Sequence, residues 1–159
     1  MDGKLENVDL FFDAGIRYTY MEKHTKWGIE KVTYQFRMMA PTHFFDNELG
    51  GSAHGLEKGG ITEFGKQVIQ KMNQKRIILD VAHASIPLID DMIKLSKGPL
   101  MSSHTGIKRV CDNTRNLKDD HIKAIARSGG IIGIAYFKVN SSLSLSLSLS
   151  LSLSLSLLF

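Results

Sequence analysis

A chain of 159 residues, 43% hydrophobic and 23% charged, has room for one domain with a sizeable core. The net charge of +4 comes from scattered lysines and arginines, not from a basic stripe with interleaved aromatics, which argues against nucleic acid as a partner. A single cysteine, Cys111, excludes an intrachain disulfide and a thiolate zinc site; with a start too charged for a signal peptide, it predicts a reducing, cytoplasmic setting.

Apolar residues at Leu5, Val8, Phe11 and Phe12, with Gly15 as a C-terminal cap, predict a helix over Leu5 to Ala14. FRMMAPT, Phe36 to Thr42, is a short strand ending next to His43. Thr62 caps a helix carrying Phe64, Val68 and Met72 that closes near Asn73. RIILDVAH follows as a strand with His83 at its end. Ser85 and Pro87 then open a helix whose Leu88, Met92 and Leu95 share a face. PLMSSH, Pro99 to His104, is the next strand. Asn116 opens a helix with Leu117, Ile125 and Ala126 inward and Gly129 closing it, and GIIGIAYF, Gly130 to Phe137, is the last strand.

Strands alternating with single helices mean parallel βα units, and strands apolar nearly throughout mean a sheet covered on both faces. The fold class is α/β: either part of a (β/α)8 barrel or a doubly wound sheet. Beyond Phe137 the chain becomes a strict Ser/Leu alternation, Ser141 to Phe159. Half serine, it is a poor membrane span, and it lacks the polar spacer of a lipid-anchor signal. A TC dinucleotide repeat read as codons yields the same alternation, so the tail reads as a translated microsatellite without function.

In both α/β architectures, ligands gather at the C-terminal edge of the strands. His43, His83 and His104 each close a predicted strand, and neighbouring parallel strands lie about 4.8 Å apart. Two such imidazoles can share a metal ion, and three on successive units point to a metal or catalytic site. Asp46, Glu48 and Asp80 are the carboxylates at hand. Along a regular strand Asp80 faces away from His83, which gives it a supporting role. Arg115, read as lying just before a helix N-terminus on the same edge, is placed to grip a substrate carboxylate in bidentate fashion; the bland alternative is a pair with Asp119. His121, within KDDHIK, reads as a solvated helix residue. His54, within GGSAHGLEKGG, reads as part of a flexible loop whose glycines lack the context of a phosphate loop. His24 falls in a stretch of doubtful origin, described below.

The segments APTHFFDNELGGSAHG, GGITEFGKQVIQKMN, IILDVAHAS, SSHTGIKRVCDNTRNLKDDHIKAIA and GGIIGIAYF resemble the membrane (renal) dipeptidase family, its bacterial-type members in particular. The resemblance runs from Arg37 to Phe137 and resumes over Gly3 to Arg17. It implies a partial (β/α)8 TIM barrel of the metal-dependent hydrolase type, using two zinc ions to hydrolyse dipeptides through a metal-bridging water. Carried over by motif, His83 and His104 would be zinc ligands. His43 would be catalytic, contacting the substrate and stabilising the tetrahedral intermediate, and Arg115 would bind the substrate carboxylate. The partner implied is a dipeptide. A homodimer is compatible with the family, which has secreted and lipid-anchored members besides the cytoplasmic kind expected here.

The chain also departs from the family pattern. The N-terminal His-x-Asp ligand pair, the metal-bridging glutamate and the aspartate near the last strand have no counterparts, so the expectation is an inactive fragment. The alternatives are a non-catalytic remnant acting as an interaction protein and a metallohydrolase of another small amide. Residues 18–36 interrupt the pattern as well. Arg-Tyr-Thr can encode a splice donor and Phe-Arg an acceptor, and removing the segment between restores GIRMMAPTH. The organisation expected is a partial barrel domain over 1–137, with 18–36 an insertion or unspliced segment, and a low-complexity tail over 138–159.

Overall fold

In the computed structural model, residues 3–14, the backbone of 18–20, and residues 37–135 are described. The chain runs α1 (Glu6–Asp13), β1 (Tyr18–Tyr20), β2 (Met38–Ala40), α2 (Glu63–Lys75), β3 (Ile78–Asp80), α3 (Ile86–Leu95), β4 (Leu100–Thr105), α4 (Asp119–Arg127) and β5 (Ile131–Ile134). Among these residues the strands form one sheet in the order β1-β2-β3-β4-β5, every pairing parallel. A doubly wound sheet reverses its strand order at a switch point. A barrel adds each strand beside the last. The unbroken order of β2, β3, β4 and β5, independent of β1, therefore selects part of a (β/α)8 barrel. The pairing of Tyr18–Tyr20 with Met38–Ala40 was not anticipated, since those residues open the 18–36 segment. Gly15, His24, Phe137 and the Ser/Leu tail lie outside the described residues.

Helix starts follow the capping chemistry. The Thr62 hydroxyl accepts the Gly65 N–H at 2.9 Å, and the Ser85 hydroxyl accepts that of Leu88 at 3.1 Å, with Pro87 in the first turn. Helix α2 runs past Asn73 and ends where Arg76 turns left-handed at φ 55°. Behind the sheet Val68, Ile69 and Met72 of α2 and Leu88, Ile89 and Met92 of α3 meet Met39, Leu79 and Leu100 of the strands. Each such side chain contributes roughly 1.5–3 kcal/mol by leaving water. Helix α1 is tied to α2 by Asp9, whose carboxylate meets Lys71 and, at 2.7 Å, Lys75.

Two predicted elements end differently, for identifiable reasons. The strand RIILDVAH stops at Asp80, because the Asp80 carboxylate turns back to accept the Ala82 N–H at 2.9 Å. That local bond competes with extended backbone and bends the chain. His83 consequently stands on a turn, at φ 67°, and the alternation that set Asp80 against it does not reach that far. Asn116 does not open a helix. Its side chain accepts the Gly106 N–H at 3.1 Å and donates to the Cys111 carbonyl at 2.8 Å, closing a loop over residues 106–117. Helix α4 begins after Lys118, with Asp119 and Asp120 in its first turn and Arg127 in its last, matching the helix dipole. Leu117 and Ile125 are buried as expected, whereas Ala126 is exposed.

Candidate metal and substrate site

The C-terminal edge of β2, β3 and β4 gathers four histidines. His83 Nε2 and His104 Nε2 are 2.9 Å apart. The ring of His43 lies 4.2 Å from that of His83, and the ring of Phe44 lies 4.2 Å from His43 and 5.5 Å from His83. His54 completes the group, 5.5 Å from Phe44 and 5.8 Å from His83.

Each ring is aimed by its backbone. Asp80, fully buried, accepts the Ala82 N–H and, at 3.0 Å, the Ser103 N–H with the same carboxylate oxygen. One carboxylate thus joins the residue before His83 to the residue before His104. The Ser103 hydroxyl lies 2.9 Å from His104 Nδ1, leaving Nε2 turned toward His83. Residues 41–62 are built just as tightly. Asp46 accepts the N–H groups of Ser52 at 2.7 Å and Glu57 at 2.9 Å. Gly51 packs where a Cβ would stand 2.3 Å from the Gly59 carbonyl oxygen, so no larger residue fits. The buried Ser52 hydroxyl donates to the His43 carbonyl at 2.5 Å and accepts the His54 N–H at 3.1 Å, fixing one histidine relative to the other. The glycine-rich stretch expected to be a flexible loop is therefore a cross-braced rim.

Arg115 pairs neither with Asp119, which binds Arg109 at 3.2 Å, nor with a helix start. It sits in the 106–117 loop with its Nη2 3.4 Å from the His104 carbonyl. Its charge reaches His54, His83 and His104 alike. Burial, then Arg115 and the other imidazoles, push His83 down to about 2. Burial and Arg115 also lower His104, against the pull of Asp80; His54, exposed at the rim, is lowered by partial desolvation and by Arg115. These rings stay neutral at pH 7, with lone pairs available to a metal ion.

The four residues expected at the site, His43, His83, His104 and Arg115, thus lie on one edge, and His54 joins them. Asp46 is held by the backbone N–H groups it accepts, which outweigh its burial and keep its pKa low. His121, expected in solvent, is buried and lies with its Nε2 3.0 Å from Asp90.

The donor chemistry suits zinc in part. A tetrahedral zinc holds two imidazole nitrogens about 3.4 Å apart at bond lengths near 2.0–2.1 Å, a small rotation from the separation seen here. Structural and catalytic zinc ions take three or four protein ligands. Among the described residues no group of three histidines, cysteines or carboxylates gathers in that way. His83 and His104 can supply two positions of such a site.

The family model described as membrane dipeptidase (peptidase family M19) matches residues 32–150. The chain belongs to the membrane dipeptidase family. Dipeptidase 3 of Mus musculus is 31% identical over 134 residues, covering 83% of this chain and 24% of the relative, and Dipeptidase 3 of Homo sapiens is 26% identical over the same length. The chain spans about a quarter of the length of these curated relatives, at 24%. A probable dipeptidase of Pseudomonas aeruginosa shares the fold at a TM-score of 0.67 and 23% identity, over 85% of this chain and 31% of its own. A metallopeptidase of Rhodobacter sphaeroides, liganded with a phosphinate mimic of the dipeptide L-Ala-D-Ala, is 28% identical with a TM-score of 0.58, over 64% of this chain and 31% of that one. As in other barrels of this class, the membrane dipeptidase fold places the histidine cluster at the strand C-termini, where the chemistry of such barrels is carried out.

Proposed function

We propose that this chain carries part of the active site of a zinc-dependent dipeptidase. The observation that supports it best is the facing of His83 Nε2 and His104 Nε2 at 2.9 Å, with His43 and Arg115 on the same edge. In this reading His83 and His104 hold one zinc ion through neutral imidazoles. The ion, when bound, supplies Lewis-acid polarisation of the scissile carbonyl and activation of water. Arg115 grips the substrate carboxylate through its planar fork, which positions the peptide bond over the histidines. His43 donates an N–H to the carbonyl oxygen as charge develops there. Phe44, itself half exposed, packs its ring against those of His43 and His83.

Two donors do not complete a zinc site, so the separate polypeptide is expected to bind metal weakly and to turn over little. That same shortfall favours the second reading, a non-catalytic remnant that keeps the fold. Elemental analysis of the purified chain, with a dipeptide panel including L-Ala-D-Ala, tests both. The expected result is zinc uptake that disappears in His83→Ala and in His104→Ala. Uptake indifferent to both substitutions would remove the metal-site reading. Hydrolysis at a dipeptidase's rate would overturn the expected inactivity and the remnant reading together.

We further hold that residues 18–36 and 138–159 are translated non-coding sequence, which a cDNA retaining both would refute. The lone Cys111 supports a cytoplasmic setting, and cell fractionation tests it.

A further inference from the structure

His54 has no task in the scheme above, yet the fold invests in its position. Its N–H is held by the buried Ser52 hydroxyl, which also holds the His43 carbonyl. The Thr114 hydroxyl donates to the carbonyl of Ala53 at 3.4 Å, so the residue before His54 is clipped to the residue before Arg115. Its ring touches those of Phe44 and His83 and makes no hydrogen bond to any described residue. The ionisable groups acting on it are Arg115, His43 and Lys58, all basic. The Asp80 carboxylate, which acts on His104, already serves two backbone N–H groups, and the Asp46 carboxylate likewise holds those of Ser52 and Glu57. His54 and Arg115 thus open on one mouth, joined through Thr114 and Ala53, whose basic side chains suit an anionic ligand group.

We propose that His54 is a second anchor for the carboxylate end of the ligand, donating a ring N–H to the group that Arg115 grips. The proposal rests on the dipeptidase reading and deepens it, because it makes a free C-terminal carboxylate a requirement read by two residues on two loops. A dipeptide is distinguished from an internal peptide bond by that terminus.

The test is calorimetric or NMR titration of the full chain with L-Ala-D-Ala and with its C-terminal amide. His54→Ala is expected to weaken binding of the free dipeptide about tenfold, the loss of one hydrogen bond to a charged group. The same substitution should leave the amide's affinity unchanged, and His54→Gln, which keeps an N–H donor, should restore most of the loss. If Arg115→Ala weakens the free dipeptide and His54→Ala does not, the inference fails while the dipeptidase reading stands. Equal weakening of acid and amide by His54→Ala would make the residue a general wall and also overturn it. Binding of neither ligand by the unsubstituted chain would sink both the inference and the reading beneath it.

Discussion

His83 and His121 are almost equally buried, at 5% and 3% exposure, yet the fold surrounds them in opposite ways. His121 sits on α4 with its Nε2 3.0 Å from the Asp90 carboxylate of α3, where it ties two helices together. His83 is set among basic groups, with Arg115 and three other histidines acting on it. The packing histidine His121 is given a carboxylate as its hydrogen-bond partner. On the proposed metal reading, His83 is kept neutral by burial and by basic neighbours, which leaves a lone pair for a ligand. Depth therefore does not mark the site; the charge of the neighbours does.

The contrast is most directly broken at Asp80. Replacing it with alanine leaves the Ala82 and Ser103 N–H groups without their acceptor, at a cost of about 3 kcal/mol. Urea unfolding should show that loss, and zinc uptake should fall with it, since both histidine-bearing turns are released. A loss below about 1 kcal/mol would show that the backbone turns hold without the carboxylate.

Acid titration sharpens the comparison next. In the metal-free protein the folded pKa of His83 lies below its unfolded value of 6.5, so the unfolded chain binds more protons between the two. The contribution of His83 is complete above pH 6.5 and is lost as pH falls below it. The slope approaches about 1.4 kcal/mol per pH unit for one proton. The lowered carboxylates Asp9 and Asp46 begin to lose their contribution only around their ordinary value of 3.8, so above that pH the histidine effect is seen without them. His83→Gln should flatten the curve between pH 6.5 and 4.5 roughly in proportion to that slope. A variant that unfolds with the same pH dependence would show that His83 is not the group responsible.

The smallest effect is expected on the structural side. Asp90 is half exposed, with 48% of its side chain accessible, so its pairing with His121 is screened by water. Asp90→Asn should therefore cost less than about 1 kcal/mol. It should leave zinc uptake untouched. A change in uptake would connect the α3–α4 contact to the site and erase the distinction drawn between the two histidines.

Local chemistry was legible where it acts over a few residues. Thr62 and Ser85 announce their helices because each hydroxyl serves an N–H three positions on. Elsewhere a side chain overrode the pattern. The apolar run through Val81 reads as continuous strand, but Asp80 folds back on Ala82 and ends it. Asn116 looks like a helix start and instead bonds Gly106 and Cys111 across its own loop. His54 was missed because the glycines around it read as freedom, whereas Gly51 against Gly59 and the Asp46 carboxylate make them signs of tight packing. The density of glycine beside a single aspartate was the available signal.

From sequence alone came the alternation of strand and helix, the histidines at strand ends, Arg115 and the family. Only the tertiary structure decided that the sheet runs in unbroken order, that His83 and His104 face each other, that His54 joins them, and that His121 does not. The physical reason is range. Capping and periodicity act over about four residues. The meeting of His43, His54, His83, His104 and Arg115 depends on adjacent parallel strands and on bonds such as Asp80 to Ser103 and Thr114 to Ala53, which join residues far apart in the chain.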